Sequence, residues 1–392
     1  QIMTFNGEDS IIAINETEMH IVVVEPIITE EAKNHVHHFT LLASESSYEG
    51  SGCDEFQGME LTYVWAPGDL PLVLPPNVGT PLGVNGFKSF RLQIHYDNPE
   101  RKDNIIDNSG VRLYYTSKKR EFDLGVFQTG DPLIGLFNQP TVTNETASIS
   151  QHVFDCPSTC TEENLPQEQN QPITVIREHL HMHKTGISMK NDQLRNDTVI
   201  RTGAVDYWDF NQQGNFGVIQ EPFQILPGDG FRTTCTYSRT HRQDKETVFG
   251  LASDNEMCIA FLFYYPRVLI NRVFPLVCGM RLRANFMRPC RAQHVEKYIS
   301  STDDTYQAIG RTFGAPPSEC RKNAVEMLSG LDSITTVAPT TDIPEAPPVS
   351  TSTSSSSSSS SPVLFWLNPF PSSHNEITTS ITAAAIVLLM LS

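Results

Sequence analysis

Residues 177–186, REHLHMHKTG, carry three histidines at alternating positions. On an extended strand successive side chains face opposite sides, so His179, His181 and His183 share one face while Met182 turns to the other. Imidazoles at that spacing can converge on one metal ion. Spacing alone leaves two pairs open, His179 with His181 or His181 with His183, and either requires this segment to be a strand.

Two further windows add donors: His37 and His38 in HVHHFTLL, and His95 in FRLQIHYDNP. With His35 and His179, seven of the twelve histidines fall in three short windows. Met257, in SDNEMCIAFLFYYPR, offers a thioether. Imidazole with soft sulfur suits copper cycling between Cu(I) and Cu(II). A lone His95 is more often an ordinary packed histidine and a lone Met257 core filling; the concentration of donors favours metal. Zinc also takes three histidines, but no carboxylate among residues 179–183 completes a hydrolase or cupin pattern. Consecutive His37 and His38 face opposite sides of a regular strand, so they meet on one ion only at a bulge or strand end, one through Nδ1 and the other through Nε2.

Alternation over residues 19–24, 90–95, 112–116, 231–237 and 259–265, with turn signals such as Pro227-Gly-Asp-Gly, predicts successive antiparallel strands. Helical periodicity is sparse, best at 324–331. This much strand exceeds one sandwich, and a stretch rich in Pro, Gln and Asn at 155–172 separates the first histidine windows from the third. The expectation is an all-β fold of two consecutive antiparallel, jelly-roll-like β-sandwich domains, residues 1–154 and 155–325, each carrying part of the metal chemistry.

The chain has 392 residues, 39% of them hydrophobic, enough for real cores, and a net charge of −17 without a lysine or arginine stripe, which disfavours a nucleic-acid partner. Eight cysteines and the sequons at Asn15, Asn144 and Asn196 point to the secretory pathway, with a cell-surface, extracellular or vesicle-lumen destination. Residues 333–375 read as a disordered Ser/Thr/Pro-rich stalk with eight consecutive serines at 354–361. Residues 376–392 form an apolar tail shorter than the roughly 20 residues that span a bilayer. It fits a GPI-attachment signal, with Ser372, Ser373 or Asn375 as attachment sites, a short membrane anchor and a plain apolar end being the alternatives.

The windows VHHFTLL, RLQIHYDNP, VRLYYTSKKREFDLG, HMHKTG, ILPGDGFRTTCTY and NEMCIAFLFYYPR, in this order, resemble the copper type II, ascorbate-dependent monooxygenases of the dopamine β-hydroxylase and DBH-like branch. The resemblance implies two copper ions per chain: an electron-transfer copper on His37, His38 and His95, and an oxygen-activating copper on His181, His183 and Met257. It thereby selects His181 with His183. It further implies two β-sandwiches facing each other across a solvent cleft, ascorbate as electron donor, and O2 used to hydroxylate a benzylic C–H carbon.

In the amidating relatives an arginine precedes the His-x-His pair and an asparagine and tyrosine follow the methionine; His179, Ile259 and Phe261 stand there here, which disfavours a peptide substrate. Apolar Ile259 and Phe261 suit a small aromatic, phenylethylamine-like substrate. By resemblance the disulfides are Cys235–Cys258, Cys156–Cys278 and Cys160–Cys320, leaving Cys53 and Cys290. The family cysteine six residues after the paired histidines is Ser44 here, and relatives place the partner of Cys53 upstream, so a truncated start is expected. The alternative to an enzyme is a catalytically silent, surface-tethered copper-binding or interaction protein.

Overall fold

The computed structural model describes residues 2–299 except 6–17, 47–58, 99, 144–148, 167–171, 217, 240–246 and 253. The expected helix at 324–331, the stalk, the apolar tail, Cys53, Cys320, Asn15 and Asn144 lie outside the described residues. The architecture of the remainder is all-β, as expected.

Each alternating run lies in a strand. Residues 19–24 fall in Glu18–Ile27, 90–95 in Ser89–Tyr96, 112–116 in Gly110–Thr116, 231–237 in Asp229–Ser238, and 259–265 form Ile259–Tyr265. In the first sandwich one sheet orders Ile2–Phe5, Ser89–Tyr96, Val36–Ser44 and Glu60–Trp65. The other centres on Glu18–Ile27, paired with Leu72–Val73, Val78–Gly83 and Gly110–Thr116.

In the second sandwich, Ile259–Tyr265 runs between Gly125–Gly130 and Ile173–His181, with Val218–Ile219 and Phe223–Ile225 beyond. Its facing sheet orders Thr198–Val205, Gly186–Arg195, Asp229–Ser238, Ile149–Cys156 and Gln293–Ile299. Two of these strands, Gly125–Gly130 and Ile149–Cys156, start before the expected division at 154/155. Backbone pairing therefore carries the chain into the second sandwich earlier than the Pro, Gln and Asn-rich stretch suggested, and that stretch contains the short helix Thr159–Asn164.

The two sandwiches are in close contact, and the expected solvent cleft between them is narrowed to a small one lined by residues of both. Ile259, Phe261 and Phe263, alternate residues of one strand in the second sandwich, join the apolar core of the first with Phe39, Leu41 and Leu92. Ala260 and Leu262 point back into their own sandwich. Both faces of this strand are thus buried, which accounts for its unbroken apolar sequence IAFLFYY.

Polar ties reinforce the contact. Arg177 pairs with Asp69, both almost wholly buried; Arg267 Nη2 donates to Glu60 at 2.7 Å and Lys184 Nζ to Asp97 at 2.8 Å. The Gly214 amide donates to the Pro67 carbonyl at 2.9 Å. A Cβ at Gly214 would stand 2.0 Å from the Asp69 nitrogen, so only glycine permits this approach.

Three disulfides tie the second sandwich: Cys156–Cys278, Cys235–Cys258 and Cys160–Cys290. The last corrects the expected Cys160–Cys320 pairing. The helix Thr159–Asn164 packs against the turn Asn285–Cys290, bringing the two Cα atoms to 4.2 Å, so Cys290 is the neighbour that closes the bond. Asn196 sits exposed in the turn between Gly186–Arg195 and Thr198–Val205.

Candidate metal centre

The Val36–Ser44 strand pairs with Ser89–Tyr96, placing His38 directly opposite His95. The register shifts between Val36 and His38, leaving His37 as the extra residue of a bulge. A bulge turns consecutive side chains to one side, and the His37 and His38 Nδ1 atoms stand 2.8 Å apart. His38 Nε2 lies 3.1 Å from His95 Nδ1. One ring nitrogen from each of the three falls within 4.8 Å of the others.

His181 and His183 occupy the end of Ile173–His181 and the turn after it. Their Nε2 atoms face each other at 3.2 Å, and each Nδ1 has its own partner: the Gln213 side-chain oxygen at 2.9 Å for His181 and the Asn255 carbonyl at 3.0 Å for His183. A carbonyl oxygen can only accept, so each Nδ1 carries the hydrogen. In a neutral ring the Nε2 is then a bare lone pair. Two lone pairs pointing at one another cannot bond to each other, and a cation between them is what this arrangement suits.

Burial keeps the rings neutral. It pushes His37 down to about 2 and His95 and His181 each down to about 4. His38 and His183 are also driven well down, first by burial and then by neighbouring rings. Neutral imidazoles are the metal-binding form.

The two histidine groups are neighbours. Ring centroids of His38 and His181 are 5.4 Å apart, those of His37 and His183 5.7 Å. His38 also forms a trio of ring nitrogens within 4.8 Å with His181 and His183. Met257, buried in the shared core, lines a cleft of about 260 Å³ together with His38, His181, Ile259, Phe261, Thr40 and Gln128. The Cys235–Cys258 disulfide and the Tyr237 hydroxyl, which donates to the Met257 carbonyl at 2.7 Å, hold the segment that presents the thioether.

His179 is not brought to the pair. It shares the strand face with His181 but is fully buried, 3.7 Å from Asp69, and neither ring nitrogen has a hydrogen-bond partner among the described residues. His35 is half-buried and its Nδ1 lies 3.2 Å from the Asp97 carbonyl.

Three residues absent from the sequence reading complete the site. Gln213 bridges the two histidine groups, Asn255 holds His183, and Glu256 accepts from the His183 amide at 2.9 Å and the Thr185 hydroxyl at 2.8 Å. Glu256 ties the His-x-His turn to the Met257 segment, and burial pushes its carboxyl up to about 7. Its position directly before Met257 was the only available sequence signal.

The chain matches two family models, "Copper type II ascorbate-dependent monooxygenase, N-terminal domain" over residues 9–103 and the corresponding C-terminal domain over residues 129–285. It is 34% identical over 276 residues to DBH-like monooxygenase protein 1 of Gallus gallus, covering 67% of this chain and 44% of that protein. Tyramine beta-hydroxylase of Caenorhabditis briggsae is 30% identical over 68% of this chain and 46% of its own length. Dopamine beta-hydroxylase of Canis lupus familiaris is 29% identical over 64% and 41%. The chain thus spans somewhat less than half the length of the curated relatives it matches.

Proposed function

Because the chain belongs to the copper type II ascorbate-dependent monooxygenases, we propose that it uses O2 and ascorbate to hydroxylate a benzylic C–H carbon of a small aromatic, phenylethylamine-like substrate. The two metal sites of this reading are His37 with His38 and His95, and His181 with His183 and Met257. The domains that carry them meet within residues 103–129, between the two family matches. One observation carries the reading: the facing, hydrogen-free Nε2 atoms of His181 and His183 open beside an apolar cleft lined by Met257.

The histidine and thioether donors fit copper, which when bound supplies one-electron redox chemistry and oxygen activation. The protein's own contribution is positioning. Gln213 and Asn255 fix the ring orientations of His181 and His183, and Glu256 holds the turn that carries them. Ile259 and Phe261 provide an apolar wall that excludes water and packs an aromatic ring against the Met257 side of the cleft. The 5.4 Å separation of the His38 and His181 rings gives electrons a short path from the first site to the second.

The disulfides and the exposed Asn196 sequon support a secretory-pathway glycoprotein, and the apolar tail a means of membrane attachment. The test of the function is aerobic turnover of a phenylethylamine panel by the copper-loaded chain with ascorbate, scored for β-hydroxylated product. Product formation is expected. Its absence across the panel from folded, copper-loaded protein would favour a silent copper-binding role instead.

A further inference from the structure

The cleft beside Met257 is apolar but for four side chains. Among the described residues that line it none is Asp, Glu, Lys or Arg, and the polar ones are His38, His181, Thr40 and Gln128. The two histidines are metal donors in the reading above, and the Thr40 hydroxyl donates to the Gln93 side-chain oxygen at 3.0 Å. The side-chain amide of half-buried Gln128 has no hydrogen-bond partner among the described residues.

Gln128 lies in the strand Gly125–Gly130, whose alternate residues face two ways. Val126 joins the core shared with the first sandwich and Phe127 the core of the second, so Gln128 shares the junction side with Val126. It stands directly opposite Phe261, as Gly130 stands opposite Ile259, and across the next pair of strands Ile259 stands opposite His181. Two strand spacings, about 10 Å, therefore separate the Gln128 strand from the His181 strand, a span that a small aromatic compound bridges. The backbone of Gln128 is already engaged: its N–H donates to the Leu276 carbonyl at 3.3 Å and its carbonyl accepts from the Cys278 N–H at 2.8 Å. Cys278 is itself tied to Cys156, so the free amide projects from a fixed strand.

A carboxamide is a neutral group that both donates and accepts. It matches a hydroxyl or another amide. It is a poor counterpart for an ammonium ion, whose transfer from water into an apolar cleft needs an opposite charge to offset it. We propose that Gln128 is a specificity-determining residue that hydrogen-bonds an uncharged polar group of the substrate, so that the cleft takes a small aromatic compound carrying a hydroxyl or amide in preference to one carrying an ammonium ion. Phe261, directly opposite, offers its ring to the aromatic part. Phenylethylamines enter the same cleft more weakly. The inference narrows the substrate class of the monooxygenase reading and rests on it, yet its readout is binding and not turnover.

The test is equilibrium dialysis of radiolabelled 2-phenylethanol and of phenylethylamine, nearly equal in shape but neutral and charged at neutral pH, with the copper-loaded, ascorbate-reduced full chain under nitrogen. The unaltered protein is expected to bind the alcohol about 10-fold or more tighter. Gln128→Met removes the hydrogen bond at nearly constant volume and is expected to weaken the alcohol about 5- to 10-fold while leaving the amine unchanged. Gln128→Glu supplies a carboxylate and is expected to reverse the order. The proposal is overturned if the unaltered protein binds the amine as tightly as the alcohol or binds neither, or if the variants leave the ratio of the two affinities unchanged. Equal weakening of both ligands is what a merely structural role of Gln128 gives. Either variant suffices should the other fail to fold. Failure of the monooxygenase reading looks different: admitting oxygen converts neither bound ligand, while the order of affinities stands.

Discussion

The rings of His38 and His181 belong to different sandwiches and stand 5.4 Å apart, centroid to centroid. Nothing local to either strand brings them together. The approach depends on Ile259, Phe261 and Phe263 entering the core of the first sandwich and on buried polar pairs across the junction. Perturbing the junction should therefore act on the metal centre without touching a ligand.

Asp69 and Arg177 form the most buried of those pairs, and Asp69→Ala leaves an uncompensated guanidinium in the interior. A loss of about 3–5 kcal/mol is expected, read by denaturant unfolding. The double variant Asp69→Leu with Arg177→Met removes both charges and should recover most of that loss. If the double variant is as unstable as the single one, the pair is not what the junction depends on.

Much of this architecture was legible in the chain. Period-two alternation located the strands, and the His-x-His spacing required a strand, because residues two apart share one face. An irregularity at His37 was also foreseeable, since consecutive strand residues share a side only at a bulge or a strand end, and the structure has the bulge. Gln213 was not: a neutral amide in FNQQGNFG has no periodicity and no charge to mark it, and its two partners lie 32 and 176 residues away. The Asp69–Arg177 pair, 108 residues apart, and the closing of Cys160 by Cys290 rather than Cys320 are likewise set by packing between distant segments. Family resemblance supplied an open cleft where this chain has a shared core around a small one, because ligand motifs record what each sandwich binds and not how far apart the two stand.

A pH response is expected from a second histidine pair, outside the proposed ligands. His152 and His294 stack at 5.1 Å on the neighbouring strands Ile149–Cys156 and Gln293–Ile299, with His152 Nδ1 3.0 Å from His294 Nε2. Burial, and for His294 also the neighbouring ring, lowers both, His294 to about 4. A ring lowered on folding contributes stability that is present above its ordinary value near 6.5 and lost as pH falls toward the folded value. Amide-exchange protection of residues 293–299, taken relative to the intrinsic exchange rate at each pH, should fall between pH 6.5 and 4, and His294→Phe should flatten that fall. Unchanged protection over this range in the unaltered protein would refute the assignment.

The Cys235–Cys258 bond adjoins Met257 in the chain and none of the other proposed donors. Replacing both cysteines with alanine should cost about 2–4 kcal/mol of stability and weaken copper binding at His181, His183 and Met257 more than at His37, His38 and His95. Site-resolved copper titration reads the difference, and equal weakening at both would show that the disulfide acts on the whole fold.

The central claim is that Met257 is a metal donor and not only part of the core it joins. Met257→Ile keeps most of the volume and leaves His181 and His183 in place. A near-isosteric apolar swap costs less than about 1.5 kcal/mol when only packing is at stake, whereas loss of a soft sulfur donor weakens Cu(I) specifically. The decisive measurement is hydroxylated product formed by Met257→Ile, alongside its Cu(I) affinity and thermal stability. The account predicts a folded protein that still binds Cu(II), with Cu(I) affinity reduced at this site and product formation lower by orders of magnitude. Near-normal turnover and Cu(I) binding would contradict it and make Met257 a packing residue.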